Sequence, residues 1–278
     1  MKKAFVIGHP IAHSRSPLIH GYWLNKYWIE GSYERIDVAP GQLVSFIRTL
    51  EANGFGGGNV TIPHKQAVMP LCFHVDANAR AIAAVNTLEL KGSKLFGYNT
   101  DGIGFLSNLD QRIPDWKVAC ATKHALVLGA GGAARAVVHA LSEAGFRITV
   151  VNRTFDTAQA LAMAFDKHAA AGRWSEIRGL MADVDLLVNT TSLGMKGQPA
   201  LDIDLSPLPK GAIVNDLVYV PLETELLRRA RDRGLIAVDG LGMLLHQAVP
   251  GFERWFGVRP EVTDELYGLI AANIGACS

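Results

Sequence analysis

Short apolar runs alternate with amphipathic segments along the first hundred residues. The runs typical of buried strands cover residues 4–7, 32–38, 59–62, 85–90 and 95–98. The segments whose apolar residues recur every three or four positions, as in a helix, cover residues 40–52 and 76–83. Gly92, within the four residues Lys91-Gly92-Ser93-Lys94, predicts a hairpin turn between the last two strands. Strands interleaved with helices predict an α/β layer architecture.

A second alternation starts after Asp101. Helical spacing predicts helices over residues 102–109 and 132–144, and the chain after Gly240 is also predicted to be helical. The strand-like runs of this half cover residues 124–128, 148–151, 185–188, 212–217 and 235–238. The alanine-rich stretch 169–172 is interpreted as a loose loop. Apolar strands separated by helices are typical of a Rossmann-like, doubly wound parallel sheet.

The bulk composition is that of a compact soluble protein. Among 278 residues, 49% are hydrophobic and 19% are charged, and this length suffices for two domains with cores of their own. Lys and Arg number 27 against 26 Asp and Glu, a net charge of +1 that argues against non-specific binding to nucleic acid or to a membrane surface. No stretch approaches the roughly 18 apolar residues that a membrane helix needs.

Three widely spaced cysteines, Cys72, Cys120 and Cys277, form no CxxC motif. This pattern favours reduced thiols over a disulfide framework or a zinc site, so no metal is expected. The apolar run after Met1-Lys2-Lys3 ends at Gly8, too early for a signal peptide. We therefore expect a cytoplasmic protein.

A glycine-rich turn follows the predicted strand at 124–128. Its residues are Gly129, Ala130, Gly131, Gly132, Ala133 and Ala134, which match G-x-G-x-x-A between a strand and a helix. In this motif the first glycine allows a tight turn, the second lets the backbone approach a pyrophosphate, and the alanine permits close helix packing. Such turns also occur without a ligand, but the flanking strand and helix favour a dinucleotide site.

The end of the next strand bears on which dinucleotide is bound. An NAD site usually places Asp or Glu there, whereas this chain has Asn152, Arg153 and Thr154. Arg153 is suited to a 2′-phosphate, with neutral hydrogen bonds from its two neighbours. The alternative is a solvated arginine before a helix that Thr154 caps. We favour the phosphate role and hence NADP.

Ser14 and Ser16 precede a predicted helix that starts near Pro17. Ser16 can be the N-cap, with Pro17 at the first helical position. Two hydroxyl groups beside a helix N-terminus also suit a carboxylate. The residues support both interpretations about equally, and the two are compatible.

Polar side chains recur where strands of the first half end. They are Asn59, Thr61, Asn86, Asn99 and Asp101. Lys65 follows Pro63, where a turn and a new helix are expected. Each of these residues alone is most simply a solvated surface residue. Ligands of open α/β sheets lie at the carboxyl ends of strands, so amides and hydroxyls there suit a polyhydroxylated ligand. Lys65 and Asp101 suit general acid–base chemistry.

The ordered set of motifs resembles the shikimate dehydrogenase family along nearly the whole chain. The motifs are His13-Ser14-Arg15-Ser16-Pro17, Asn59 to Lys65, Val85-Asn86-Thr87, Asn99-Thr100-Asp101-Gly102, Gly129 to Ala134, Asn152-Arg153-Thr154, Asn189-Thr190-Thr191-Ser192-Leu193-Gly194-Met195, Asp216-Leu217-Val218-Tyr219, and Gly240 through Met243-Leu244 to Gln247. The resemblance implies reversible NADP-dependent reduction of 3-dehydroshikimate to shikimate, in the pathway to aromatic amino acids. It also implies a substrate domain at 1–101, completed by 241–278, and an NADP-binding Rossmann domain at 102–240.

The same resemblance implies roles for individual residues. Lys65 and Asp101 would handle the proton. The residues that would bind substrate are Ser14, Ser16, Asn59, Thr61, Asn86, Tyr219 and Gln247, the first two at the carboxylate with Tyr219. The residues that would line the cofactor path beyond the glycine turn are Asn189, Thr191, Met195, Gly240 and Met243.

Two features bear on specificity. Many NADP-using relatives carry a second basic residue shortly after Asn-Arg-Thr, whereas Phe155-Asp156-Thr157 supplies none. We therefore expect NADP preference to rest mainly on Arg153 and to be modest. A quinate/shikimate or aminoshikimate relative, of broader substrate or NAD use, is the nearest alternative. A non-catalytic NADP-binding regulator would be expected to lose the Lys65/Asp101 pair, which this chain keeps. The expected assembly is a monomer or a homodimer.

Overall fold

The computed structural model describes residues 2–276. Cys277 is therefore the one cysteine of the prediction that lies outside the described residues. The chain divides into two compact units. The first comprises the described part of Met1–Asp101 with Leu245–Ile270, and the second comprises Gly102–Leu244 with the described part of Ala271–Ser278.

The first unit contains a mixed sheet. Its strands are β1 (Lys2–Gly8), β2 (Gly31–Asp37), β3 (Phe55–Val60), β4 (His74–Val75), β5 (Thr87–Lys91) and β6 (Lys94–Tyr98). Its first helices are α1 (Ser16–Lys26), α2 (Leu43–Arg48) and α3 (Ala77–Ile82). The order in the sheet is β2-β1-β3-β5-β6-β4. β1 is parallel to β2 and β3, whereas β5 is antiparallel to both β3 and β6, as the predicted hairpin requires.

The second unit contains a parallel sheet. Its helices are α4 (Asp101–Arg112), α5 (Trp116–Ala119), α6 (Gly132–Glu143), α7 (Phe155–Met163), α8 (Ile177–Leu180) and α9 (Glu225–Asp232). Its strands are β7 (His124–Leu128), β8 (Arg147–Asn152), β9 (Ala169–Arg173), β10 (Leu186–Asn189), β11 (Ile213–Asp216) and β12 (Ile236–Val238). The order is β12-β11-β10-β7-β8-β9, with parallel pairing throughout. The helices α10 (Leu241–Phe256) and α11 (Asp264–Ala276) follow.

Alternate residues of the central strands enter two separate cores. Along β7, Ala125 and Val127 join one buried cluster and Leu126 and Leu128 join the other. Side chains of a strand point to opposite faces in turn, so this division means that both faces of the sheet are covered. The doubly wound parallel sheet predicted for this half of the chain is confirmed.

Three predicted elements of the first unit were wrong in detail. The helix expected over residues 40–52 is a 3-10 turn followed by α2, which ends where the Thr49 hydroxyl donates to the Phe46 carbonyl at 2.8 Å and competes with further helical bonding. β3 starts before Asn59, at Phe55, and the pattern missed its first half because Gly56, Gly57 and Gly58 carry no apolar side chain to signal a strand. The segment after Pro63 forms turns rather than the expected helix.

The loop predicted at 169–172 was also wrong, because these residues belong to β9 at the edge of the parallel sheet. A Cβ on Gly172 would lie 2.7 Å from a Leu180 methyl carbon and 3.2 Å from methyl carbons of Thr149 and Val151. Small residues at this edge therefore permit close packing, which a pattern of large apolar residues could not reveal.

Within residues 2–276, no helix is both long and apolar enough to cross a lipid bilayer. In the same part of the chain, no group of three or more His, Cys, Asp or Glu side chains is arranged to hold a metal ion.

Candidate active site

Lys65 and Asp101 form a close ion pair. The Lys65 Nζ donates to Asp101 Oδ2 at 2.7 Å, and the side chains are 29% and 15% exposed. The other carboxylate oxygen, Oδ1, accepts a hydrogen bond from Asn86 Nδ2 at 2.7 Å. Both oxygens of the carboxylate are thus engaged, and the carboxylate fixes the position of the ammonium group while leaving that group partly open to solvent.

The β5–β6 hairpin assembles this site. Asn86 precedes β5 and Asn99 follows β6, so antiparallel pairing brings the two ends together. Asn86 Oδ1 accepts from the Thr100 backbone N–H at 3.0 Å, and Asn99 Oδ1 accepts from the Asp101 N–H at the same distance. The Lys65 carbonyl accepts from the Val85 N–H at 2.8 Å, which anchors the lysine backbone beside the hairpin.

Asn59, at the end of β3, is held from three sides. Its Oδ1 accepts from the Tyr33 hydroxyl at 2.6 Å, and its Nδ2 donates to the Asn86 carbonyl and to Thr87 Oγ1, each at 3.2 Å. Both amide protons are used within the protein. A ligand can therefore engage this side chain only through the remaining lone pair of Oδ1, from a donor such as a hydroxyl group.

Tyr33 and His20 hold Asn59 in position. Burial raises the pKa of Tyr33 well above its usual value, so the phenol remains a donor. The His20 ring stacks on that phenol, with ring centroids 4.0 Å apart. Burial lowers the pKa of His20 to about 3, although Asn59 lies close enough to oppose part of that fall. Sequence reasoning missed both residues, because each lies within an element and offers no motif of its own.

The two serines lie where α1 begins, and the N-cap role expected for Ser16 is wrong. The helix starts at Ser16, so Ser16 is not the N-cap; instead Ser14 Oγ accepts from the Ser16 backbone N–H at 3.3 Å. Arg35 reaches the Ser14 carbonyl with its guanidinium at 2.7 Å. Ser16 is nearly buried. Two hydroxyls, a helix N-terminus and a cation are thus close together, a combination that suits an anion.

Thr61 and Gln247 complete the first-unit candidates. Thr61 is half-buried, and its N–H donates to the Ile7 carbonyl at 2.9 Å. Gln247, on α10, is half-buried, and its carbonyl accepts from Thr100 Oγ1 at 2.8 Å. The C-terminal segment is thereby attached to the residue that immediately precedes Asp101.

The glycine turn of the second unit has the geometry of a phosphate cradle. Gly129 has a φ of +106°, and a Cβ there would lie 2.5 Å from Thr190 Oγ1, so the turn requires glycine. A Cβ on Gly131 or Gly132 would meet no atom within 4 Å, so the space in front of them is open. No side chain caps α6, which leaves its first N–H groups for a ligand. The residues Ala130 and Ala133 flank these glycines.

The residues after β8 face solvent. Arg153 and Thr154 are exposed, and Asn152 donates from Nδ2 to the Thr154 carbonyl at 3.0 Å. Thr154 occupies the N-cap position of α7, without a hydrogen bond from its side chain. The loop is therefore ordered by Asn152, while the hydroxyl of Thr154 and the guanidinium of Arg153 stay accessible.

Asn189 shapes the loop after β10 rather than opening onto it. Its Nδ2 donates to Asp216 Oδ1 at 2.8 Å and to the Leu193 carbonyl at 3.2 Å, and its Oδ1 accepts from the Thr191 N–H and hydroxyl. Asn189 is fully buried, and burial raises the pKa of Asp216 against hydrogen bonds from Thr224, Val218 and Asn189.

The remaining candidates of the second unit lie in loops and at the start of α10. Met195 is 43% exposed, and Tyr219 is half-buried in the loop after β11. Gly240 presses against the backbone of Leu217, where a Cβ would lie 2.2 Å from the carbonyl oxygen, so close packing accounts for this glycine. Met243 packs partly buried against the core.

Comparison with known proteins identifies the family. Three family models match, described as the shikimate dehydrogenase substrate binding domain (residues 6–88), shikimate / quinate 5-dehydrogenase (residues 111–195) and the shikimate 5′-dehydrogenase C-terminal domain (residues 240–264). The NADP(+) shikimate dehydrogenase of Mesorhizobium japonicum is 57% identical over 98% of this chain and 97% of its own length. The chain belongs to the shikimate dehydrogenase family.

Solved members of the shikimate dehydrogenase family share the fold. The enzyme of Thermus thermophilus, in complex with NADP(H) and shikimate, is 36% identical with a TM-score of 0.85, over 99% of this chain and all of its own. A quinate dehydrogenase of Corynebacterium glutamicum, in complex with NAD, is 31% identical with a TM-score of 0.89, over 98% of this chain and all of its own.

Proposed function

We propose that this chain is an NADP-dependent shikimate dehydrogenase that reversibly reduces 3-dehydroshikimate to shikimate, a step of aromatic amino acid biosynthesis. The observation that carries the proposal is the Lys65–Asp101 pair, which Asn86 holds in place. Similar relatives of this chain are named NADP(+) shikimate dehydrogenase. The pair would move the proton in a reaction in which NADPH, when bound, supplies the hydride.

Lys65 has the chemistry for proton transfer. As hydride reaches a carbonyl carbon, negative charge develops on the oxygen, and a positioned ammonium group stabilises that charge and donates a proton. In the oxidative direction the amine form accepts the hydroxyl proton. Asp101 would orient Lys65, which donates to its Oδ2 at 2.7 Å, while Asn86 holds the other carboxylate oxygen in place.

The polar groups of the first unit would bind the rest of the substrate. Ser14 and Ser16, beside the α1 N-terminus, would bind the carboxylate together with Tyr219. The residues proposed to bind ring hydroxyls are Asn59, Thr61, Asn86, Asp101 and Gln247. Asn59 would accept a hydrogen bond from a hydroxyl group through Oδ1, since both of its amide N–H groups already donate within the protein.

The second unit would bind NADP. The open space at Gly131 and the uncapped start of α6 suit a pyrophosphate, and Arg153 suits a 2′-phosphate. The residues proposed for the cofactor are Gly129, Ala130, Gly131, Gly132, Ala133, Asn152, Arg153, Thr154, Asn189, Thr191, Met195, Gly240 and Met243. We assign substrate binding to residues 1–101, completed by 241–278, and NADP binding to residues 102–240.

Initial-rate oxidation of shikimate and of quinate, each with NADP⁺ and with NAD⁺, tests the proposal. We expect strong preference for shikimate with NADP⁺. Comparable rates with quinate or NAD⁺ would assign the chain to the broader-specificity branch. That second candidate is favoured by the likeness to a quinate dehydrogenase in complex with NAD and by the acidic Asp156, three residues after Arg153 in the sequence. Folded protein that binds NADP without oxidising either compound would indicate a regulator.

A cytoplasmic location and a monomeric or homodimeric state complete the proposal. Cys72 and Cys120 are free thiols in the structure, and burial raises the pKa of each to about 11. Thiols that stay protonated and reduced suit a reducing compartment. Light scattering of the purified protein distinguishes the two assembly states.

A further inference from the structure

Arg173 lies at the edge of the proposed NADP site, although it is twenty residues from Arg153 in the sequence. It ends β9, and its backbone pairs in register with Asn152 at the end of β8. Neighbouring strands lie about 4.8 Å apart, so Arg173 leaves the sheet beside Asn152 and the Arg153 that follows it. Both arginines therefore emerge at the carboxyl edge of the sheet, where ligands of this architecture bind.

The side chain of Arg173 is positioned by an aromatic ring. Its guanidinium carbon lies 4.5 Å above the ring centroid of Phe155, the first residue of α7. Its backbone N–H donates to Glu176 Oε2 at 3.0 Å, which fixes the path of the chain as it leaves β9. Stacking on a ring occupies the face of a guanidinium and leaves its N–H edge available to oxygen atoms.

The Glu176 carboxylate accepts from the backbone N–H of Arg173, but in the described part of the chain no carboxylate forms an ion pair with the Arg173 guanidinium. By contrast, Arg147 pairs with Asp183 and Arg178 pairs with Asp204. Arg173 is an exposed and stacked cation on the strand next to the one that Arg153 follows, so it is available for an anion.

We propose that Arg173 is a specificity-determining residue that, together with Arg153, binds the 2′-phosphate of NADP and so selects NADP over NAD. The second cation that is missing after Asn152-Arg153-Thr154 is thus supplied from the neighbouring strand. This inference rests on the proposed function, and it deepens the assignment of the cofactor site.

Calorimetric titration with 2′,5′-ADP and with 5′-AMP tests the proposal without the reaction. The two ligands differ only in the 2′-phosphate. We expect Arg173→Gln to weaken binding of 2′,5′-ADP about tenfold, as for the loss of one charge-assisted hydrogen bond, and to change binding of 5′-AMP less than about twofold. Arg173→Lys, which keeps the charge but not the planar guanidinium, should bind 2′,5′-ADP with an affinity between those of the wild type and Arg173→Gln.

Two further variants separate position from net charge. Arg147→Gln removes the same charge at the amino end of β8 and should leave 2′,5′-ADP binding unchanged. Phe155→Leu removes the ring below Arg173 and should weaken binding of 2′,5′-ADP alone, by less than Arg173→Gln. In steady-state kinetics of shikimate oxidation, we expect Arg173→Gln to raise KM for NADP⁺ about tenfold and to leave KM for NAD⁺ unchanged.

Each other outcome overturns the inference. Equal weakening of both nucleotides by Arg173→Gln would mean contact with the adenine or a general charge effect, and no weakening would mean no contact. An equal loss of 2′,5′-ADP binding in Arg147→Gln would mean that Arg173 acts through long-range electrostatics rather than through contact with the phosphate. Failure of the proposed function gives a different result, namely wild-type protein that binds 2′,5′-ADP but does not oxidise shikimate.

Discussion

At the scale of single residues, the geometry of the candidate site depends on a series of side-chain hydrogen bonds. Lys65 is one contact from Asp101, Asp101 one contact from Asn86, and Asn86 one contact from Asn59 through its carbonyl. These four residues can be identified from the sequence, because each lies at or near the end of a predicted strand, close to other polar residues. Their support cannot, because Tyr33 and His20 meet Asn59 only after β2 and α1 have packed together.

Lys65→Ala should lower kcat by about 10²–10⁴-fold with little change in the Michaelis constant for shikimate, because a positioned proton donor acts mainly in the transition state. Steady-state rates measure both constants. Lys91→Ala, which removes an exposed lysine of the same unit, is the control. Turnover near wild type combined with a raised Michaelis constant would show that Lys65 binds substrate rather than moving a proton.

His20 should make folding stability depend on pH. Its pKa is about 3 in the folded protein and near 6.5 in the unfolded chain, so between these values the unfolded state binds the proton and the folded state does not. Stability is therefore complete above pH 6.5 and falls as the pH drops, by about 1.4 kcal/mol per pH unit from this group. Urea unfolding at several pH values measures the slope.

The non-titrating variants His20→Phe and His20→Asn isolate that contribution. The first keeps a flat ring between Tyr33 and Phe252, and the second replaces the ring with a smaller polar side chain. Both should show a shallower fall between pH 6 and pH 4.5 than the wild type, whatever their absolute stability. Equal slopes in all three proteins would exclude His20 as the source.

At the scale of elements, glycines allow β3 to pack closely against its neighbouring strands. β3 lies between β1 and β5, and its buried Gly58 faces Phe5, whereas Gly56 on the same strand is exposed. A Cβ on Gly58 would lie 2.4 Å from the Phe5 carbonyl oxygen, while a Cβ on Gly56 would meet no atom closer than 3.9 Å. The backbone of β1 cannot move aside as a side-chain tip can.

Gly58→Ala should therefore lower the free energy of unfolding by about 1–3 kcal/mol or more. Gly56→Ala, the matched control, should change it by less than about 1 kcal/mol, since the backbone there is free of close contacts. Urea denaturation of both variants provides the comparison. Similar losses would mean that the strand tolerates a side chain facing Phe5.

The elements that sequence patterns located well are those with large apolar residues. β7, β8 and β10 and the helix α6 are close to their predicted bounds, because both sheet faces demand apolar side chains. β9 and the first half of β3 were missed for the opposite reason, since Ala and Gly pack closely without contributing hydrophobic periodicity. Of the proposed cofactor residues, the glycine turn is visible as a motif, whereas Arg173 becomes relevant only through the pairing of β9 with β8.

At the scale of the whole molecule, two units with separate cores should respond to ligands separately. NADP⁺ at a hundred times its dissociation constant should stabilise the unit that binds it by about 2.7 kcal/mol, because only the folded form binds. Denaturation monitored by fluorescence and by hydrogen exchange of residues 102–244 measures this effect. Stabilisation confined to residues 2–101 would contradict the assignment of NADP to the second unit.

The attachment of the C-terminal segment to the first unit has a consequence for protein synthesis. Trp255 donates from its indole nitrogen to the Leu88 carbonyl at 2.8 Å and packs against Gly57, so the β3–β5 part of the first sheet is covered by a residue translated after the whole of residues 102–244. The parallel sheet and both of its cores lie wholly within residues 102–244. On the ribosome, the parallel sheet can therefore finish folding before the first unit, which waits for residues 245–270 to emerge.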